Sequence, residues 1–145
     1  MDYKKNGNAI YARFDKGDDV VSGILEICKS ENIISATYSG IGGCGNVTVA
    51  TFIPEKNEFI PHNKTGLLEM ISLNGNISAN DDNTIEHHTH AMFSYLNKNG
   101  ELQFLGGHLI EAVVLYTAEI IINPVQNGVI KRMKDAKTGI TVWKL

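Results

Sequence analysis

One helical pattern, close to the N-terminus, is followed only by strand patterns, and this order limits the folds open to the chain. Apolar residues recur at helical spacing from Val20 to Cys28 and form one stripe along VVSGILEICKS. Asp18 or Asp19 can cap the first turn, and the pattern predicts that the helix ends near Ser30. No other segment of the 145 residues carries a comparable helical signal.

Strand patterns account for most of the remaining chain. The segment NAIYARF precedes the helix, and the strands predicted in all cover residues 8–14, 33–39, 46–53, 67–74, 86–96, 102–105 and 110–122. A last hairpin is expected to turn through Asp135–Gly139, and the polar residues 75–85 are expected to form a flexible loop. The fold class we predict is α+β, a mostly antiparallel β-sheet wrapped around one main helix, in a single domain of residues 1–145.

The charge balance is mildly acidic, since 13 Lys and Arg against 16 Asp and Glu give a formal net charge of −3. Such a balance argues against nucleic-acid binding by simple electrostatic attraction. The chain shows no apolar run of the length that a signal peptide or a membrane span needs, so we expect a cytoplasmic protein without membrane contact. Cys28 and Cys44 are expected to be free, buried thiols.

Residues 40–45, GIGGCG, match the glycine pattern of dinucleotide-binding sites letter for letter. Such a site needs a helix directly after the glycines, so that phosphate meets the helix N-terminus. The residues that follow, NVTVATF, are rich in β-branched side chains and alternate, which predicts a strand. We therefore interpret the glycines as a turn or bulge where two backbones cross closely, with the lining of a pocket as the alternative.

Four of the five histidines fall within residues 87–108, HHTHAMFSYLNKNGELQFLGGH. His88 and His90 lie two residues apart in an alternating strand, so their side chains point to the same face of the sheet. His87 points to the opposite face and is not expected to join them. Taken alone, an H-x-H pair is more often explained by hydrogen bonding on a polar sheet face.

The register of the following hairpin decides where His108 lies. A three-residue loop at residues 98–100 would place His108 opposite His90, on the same face. A two-residue turn would send His108 to the other face, unless a bulge at Gly106–Gly107 restored the register.

Three neutral imidazoles that converge on one point form a good ligand set for a divalent metal, zinc first. Three protein ligands leave a fourth position open, which in zinc proteins is more typical of reactive than of structural sites. Cupins also use H-x-H with a later histidine, but they usually add a glutamate, and residues 91–96, AMFSYL, contain no carboxylate. The predicted metal ligands are His88, His90 and His108.

The sequence resembles the plant-and-prokaryote-conserved (PPC) domain family, whose plant members carry AT-hooks. The matching segments are ARFDKGDDVVSGILEIC, ISATYSGIGG, HTHAMFSYLNKNGELQFLGGHL and TAEIII. The resemblance implies a small domain with an antiparallel sheet around a helix, and association into homotrimers. It also implies a metal ion, typically zinc, held in some prokaryotic members by three histidines, which here are His88, His90 and His108. The family label further implies DNA binding.

Two departures bear on the implied functions. The plant AT-hook is centred on Arg-Gly-Arg-Pro, but no Arg-Gly-Arg occurs here and the only arginines are Arg13 and Arg132. The plant partner-contacting segment Gly-Arg-Phe-Glu-Ile-Leu corresponds to residues 66–71, GLLEMI, where a leucine replaces the arginine. Gly66 and Glu69 match that segment and are candidates for partner binding, while the alternative is a core strand.

Two further features have alternative interpretations. Glu119 interrupts an apolar run and is a candidate hydrogen-bond partner for a ligand histidine, a paired charge at a subunit contact, or a plain exposed carboxylate. The basic cluster, which we define as Lys131, Arg132, Lys134 and Lys137, would either touch phosphate or form a solvated hairpin face.

Two functional hypotheses follow from these features. The first is a metal-binding PPC-domain protein, assigned to DNA binding by family resemblance, with an open three-histidine site. The second is a metal-dependent enzyme, a hydrolase or lyase acting on a small polar substrate, because an open metal site can activate water near neutral pH. Glu86 and Glu101 are the candidate bases for the second hypothesis.

Overall fold

The structure is a computed structural model that describes residues 1–145, and its dominant feature is one sheet of eight strands. Strands hold 66% of the residues and the single helix 8%. In chain order the elements are β1 (Asp2–Asn6), β2 (Ala9–Asp15), α1 (Val20–Ser30), β3 (Ala36–Ile53), β4 (Glu58–Ala79), β5 (Ile85–Leu96), β6 (Leu102–Pro124), β7 (Lys131–Lys134) and β8 (Thr141–Lys144).

The four central strands form a closed ring of antiparallel pairs. β3 pairs with β4, β4 with β5, β5 with β6, and β6 returns to pair with β3. The β1–β2 hairpin extends the sheet from β6, and the β7–β8 hairpin joins β4 through a single parallel pair, Ala79 with Lys131. The sheet therefore has few open edges, and strands far apart in sequence become neighbours.

The predicted fold class, α+β with a sheet wrapped around one main helix, is wrong: the fold is dominated by the sheet, which is organised by its own closure and does not wrap around a main helix. β3, β4 and β6 are 18, 22 and 23 residues long and run through several of the breaks predicted from the sequence. Register shifts in these strands act as β-bulges, which bend a strand without ending it. The predicted loop at residues 75–85 is likewise wrong in part, since β4 continues to Ala79.

The helix itself agrees with its sequence prediction. It spans Val20–Ser30, and Asp19 caps it by accepting a hydrogen bond from the backbone N–H of Ser22 at 2.8 Å. The second carboxylate oxygen of Asp19 accepts from the backbone N–H of Ala112 at 2.9 Å, which ties the start of the helix to β6. The buried face of the helix packs on the inner face of the sheet, and the face that carries His88 and His90 is the outer face.

The glycine-rich segment lies inside β3, and a strand follows it as predicted. A Cβ on Gly40 would lie 2.6 Å from the carbonyl oxygen of Glu119, and one on Gly42 would lie 2.5 Å from the Cβ of Ala118. The backbones of β3 and β6 therefore approach too closely for side chains here. The interpretation as a bulge at a close crossing is confirmed, and no helix follows to bind a dinucleotide.

Both cysteines are free and buried, as predicted. Burial raises the pKa of the Cys28 thiol to about 11 and that of the Cys44 thiol to about 12, so neither is a ready thiolate. The one helix lacks the length and apolar character needed to cross a membrane.

We expect Gly42→Ala to destabilise the protein by about 1–3 kcal/mol, because the added methyl overpacks the β3–β6 contact. Gly128→Ala is the matched control, since a Cβ there meets no atom within 4 Å. Urea unfolding of both variants checks the prediction. Equal unfolding midpoints for the two variants would contradict the close crossing.

Candidate metal centre

A tight turn closes the β5–β6 hairpin. The backbone N–H of Asn97 donates to the carbonyl of Glu101 at 2.9 Å, and that of Gly100 donates to the carbonyl of Asn97 at 3.0 Å. Gly100 has φ of +77°, the left-handed conformation that glycine adopts without steric cost. The three-residue loop at residues 98–100 is thereby confirmed, and the two-residue alternative is excluded.

This turn sets the register that the histidines need. His90 lies directly opposite His108, and Met92 lies opposite Gly106, as predicted. His88 lies two residues before His90 in β5, so it points to the same face, and it pairs with Asn76 on β4. The three imidazoles therefore come from two neighbouring strands and share the outer face.

The three imidazole rings form a compact triangle. Ring centroids are separated by 5.2 Å between His88 and His90, 5.2 Å between His88 and His108, and 5.5 Å between His90 and His108. One nitrogen of each ring lies within 4.8 Å of a nitrogen of the other two. His88 and His90 are exposed and His108 is half-buried, so the triangle opens to solvent. Three imidazole nitrogens in this arrangement fit a divalent metal of the zinc type.

The surroundings of His88 and His108 favour the neutral form of these two rings. Burial, together with smaller contributions from the neighbouring His88 and His90, lowers the pKa of His108 to about 4. Burial also lowers the pKa of His88, with smaller contributions from His90 and Arg132. A neutral imidazole has a free lone pair, which is the form that binds metal.

His108 is held in place by close packing on both sides of β6. It pairs with His90 on β5 and with Ala50 on β3, so it occupies the point where β6 passes from one strand to the other. A Cβ on Gly107 would lie 2.8 Å from the carbonyl oxygen of Ala50, which requires glycine there. The ring of Phe59 lies 5.0 Å from that of His108. Phe59 was not predicted, because its position depends on the β3–β4 pairing.

His87 points to the inner face, as predicted, and does not join the triangle. Its Nδ1 lies 2.8 Å from the hydroxyl of Thr89, which also contacts the hydroxyl of Tyr38. His87 therefore belongs to a buried hydrogen-bond network.

None of the carboxylates considered from the sequence contacts a ligand histidine. Glu119 is exposed beside Arg13 and Ile41, and the cavities it lines contain no histidine. Glu86 lies 3.0 Å from a guanidinium nitrogen of Arg132. Glu101 accepts a hydrogen bond from the Asn97 side chain at 2.7 Å. The structure thus brings none of the three into a hydrogen bond with a ligand histidine.

The segment of Gly66 and Glu69 forms part of β4. Leu68 and Met70 are buried there and Glu69 is exposed, which confirms the interpretation as a core strand. Gly66 has φ of +114°, a conformation that favours glycine. A role of these residues in partner binding remains a prediction.

Two cavities border the triangle, and their polar lining was not predicted from the sequence. The first is about 280 Å³ and is lined by Thr37, Asn74, Gly75, Asn76, His88, His90 and Trp143. The second is about 360 Å³ and extends from His90 to Met92 and Gly106, where the glycine leaves the space expected from the sequence. Trp143 reaches the first cavity from the C-terminal hairpin, and its indole N–H donates to the side-chain oxygen of Asn76 at 3.2 Å. No local sequence pattern indicates that contact.

Comparison with known proteins places the chain among related domains. Residues 1–126 match the model of the Plants and Prokaryotes Conserved (PCC) domain family, also written PPC. No functionally curated protein matches the chain.

Solved structures share the fold over almost the whole chain. A PPC protein from Pyrococcus horikoshii is 32% identical, with 96% of this chain and 92% of that chain covered and a TM-score of 0.81. A metal-containing protein from Archaeoglobus fulgidus is 29% identical, with 100% and 99% covered and a TM-score of 0.82. A proposed DNA-binding protein from Bacteroides thetaiotaomicron is 24% identical, with 99% and 96% covered and a TM-score of 0.87.

Proposed function

Because the chain belongs to the Plants and Prokaryotes Conserved domain family, we propose that it is a metal-binding member that holds one divalent cation through His88, His90 and His108. The observation that carries this proposal is the convergence of three imidazole nitrogens within 4.8 Å of one another on the outer face. Zinc is the first candidate, because it prefers imidazole ligands in a small cluster. The metal-containing relative from Archaeoglobus fulgidus supports the proposal.

The alternative function is that of a metal-dependent hydrolase or lyase acting on a small polar substrate. It is favoured by the two cavities beside His90, which would admit a small molecule to the open side of the triangle. A metal held there would supply Lewis acidity to the substrate. The amides of Asn74 and Asn76 would then orient the bound molecule. Turnover of a small substrate that stops when a chelator is added would distinguish this function from binding alone.

We expect the purified protein to bind one Zn²⁺ per chain, and His90→Ala to lose most of that affinity. The loss should exceed the ~10–100-fold that removal of an outer-shell partner costs, because a direct ligand is removed. His62→Ala is the matched control, since His62 is exposed and lies outside the triangle. Competition with a chromogenic chelator measures all three affinities. The same zinc affinity in His90→Ala and in wild type would refute the site.

We also propose that the chain is a single domain over residues 1–145 that assembles into a homotrimer. An outer-face apolar patch, defined as Tyr11, Ile41, Ile71 and Ile121, supports the assembly. These side chains are 50%, 58%, 48% and 38% exposed and line a cavity of about 620 Å³. Clustered exposed apolar side chains of this kind mark contact surfaces. A cytoplasmic location fits the two free cysteines, which a reducing compartment would preserve.

We expect light scattering to give three times the 15.9 kDa mass of the chain. Ile41→Asp should reduce that mass to the monomer value, because a charge would be buried in the patch. Val129→Asp, at a position that is 43% exposed and outside the patch, should leave the mass unchanged. A monomeric wild-type protein would contradict the trimer.

DNA is a second candidate partner, favoured by the basic cluster on the C-terminal hairpin. Arg132 in that cluster already faces Glu86, which leaves three lysines for phosphate contacts. We expect any complex with random duplex DNA to weaken by about 40-fold between ~50 and ~200 mM salt, the dependence for three phosphate contacts. A mobility-shift titration checks this, with Lys134→Glu as the weakened variant. No shift at micromolar protein in low salt would exclude DNA as a partner of the isolated chain.

A further inference from the structure

The C-terminal hairpin, β7–β8, forms one wall of the cavity beside the three histidines. It joins β4 through the pair Ala79–Lys131, and the indole N–H of Trp143 donates to Asn76 at 3.2 Å. Asn76 pairs with His88, so the indole lies next to the triangle. The match to the family model ends at residue 126, so this wall lies outside the part of the chain that defines the family.

The charges around the cavity favour an anionic occupant. Arg132, directly opposite Trp143, is only 10% exposed and lies 3.0 Å from Glu86, so these two charges offset each other. The guanidinium nitrogen that lies near Glu86 is Nη1. Neither Nη1 nor Nε of Arg132 makes a well-aligned hydrogen bond. The three imidazoles are neutral ligands, and none of the residues that line the cavity is acidic. The protein would therefore not neutralise the charge of a divalent cation bound by the three histidines. That uncompensated charge favours an anion at the coordination position that the histidines leave open.

The polar groups of the cavity also suit a small oxygen-rich anion. The oxygen of the Asn76 amide accepts from Trp143, which leaves the amide NH₂ as a donor toward the cavity. The hydroxyl of Thr37 makes no hydrogen bond within the protein and is a second donor on the same wall. The indole provides an apolar surface against which a short carbon chain packs. The cavity is open to solvent, and its volume of about 280 Å³ accommodates a molecule of a few carbon atoms.

We propose that the β7–β8 hairpin, through Trp143 and Asn76, completes a binding site for a small carboxylate next to the three-histidine centre. The carboxylate occupies the open position of the metal, and its carbon chain packs on the indole. This inference rests on the proposed metal site and names the class of ligand that the site takes.

The test uses the full chain loaded with Co²⁺, whose visible absorption reports its ligands. Trp143 is the only tryptophan, so fluorescence excited at the long-wavelength edge, where the five tyrosines do not absorb, reports the wall of the cavity. We expect Co²⁺ to quench this fluorescence on binding. Lactate should then shift the Co²⁺ absorption saturably and change the remaining fluorescence. Lactamide, the uncharged analogue, should do neither at the same concentration.

Variants of the wall separate a specific site from simple anion exchange at the metal. Trp143→Ala should retain the Co²⁺ spectrum but bind lactate about fivefold to tenfold more weakly, the size of one lost aromatic contact. Asn76→Ala should weaken lactate binding similarly, and Trp143→Phe should restore most of it. Tyr116→Ala is the matched control, because Tyr116 is an aromatic residue that is 68% exposed and lines no cavity that contains a histidine. This variant should bind lactate with the affinity of the wild type.

The outcomes distinguish the two proposals. Co²⁺ binding with a lactate affinity that depends on Trp143 supports the carboxylate site. Co²⁺ binding with no response to lactate, or with the same response in wild type and Trp143→Ala, overturns the carboxylate site and leaves the metal centre standing. A chain that binds no Co²⁺ overturns the metal centre itself, and this inference with it.

Discussion

Asn97 and Glu101 close the β5–β6 hairpin, and every cross-strand pair between the two strands follows from that closure. Because side chains alternate between the faces of a strand, a shift of one residue would turn His108 to the inner face. Gly100 has φ of +77°, which glycine adopts without steric cost, and this stabilises the three-residue loop. The convergence of the three imidazoles is thus a consequence of one turn.

The closed sheet then fixes His108 from its second side. β6 leaves β5 and joins β3 at this residue, and Gly107 allows the backbone to pass the carbonyl of Ala50. Gly40 and Gly42 allow the same close approach further along the two strands. The position of His108 therefore depends on a backbone contact that only glycine permits. The C-terminal hairpin adds its wall through the backbone pair Ala79–Lys131 and the side-chain contact of Trp143 with Asn76.

Local patterns predicted the helix and the β5–β6 turn correctly, but not the length of the long strands. The apolar stripe and the Asp19 cap located the helix, and the residues at 97–100 located the turn that pairs His90 with His108. Such patterns do not predict contacts between segments that are distant in sequence. β4 continues through Gly75 and Asn76 because β3 and β5 pair with it on both sides, although these residues favour a loop in isolation. For the same reason, neither Phe59 nor Trp143 could be assigned to the site, since each arrives through a pairing set by the closed sheet.

The central claim is that the three imidazoles hold one divalent cation, and diffraction from crystals grown with Zn²⁺ tests it most directly. Data collected on both sides of the zinc absorption edge would locate the metal without reference to the protein atoms. We predict one anomalous peak per chain, at about 2.0–2.1 Å from one nitrogen each of His88, His90 and His108. A structure with no peak at that position, or with the three rings turned toward unrelated neighbours, would contradict the claim.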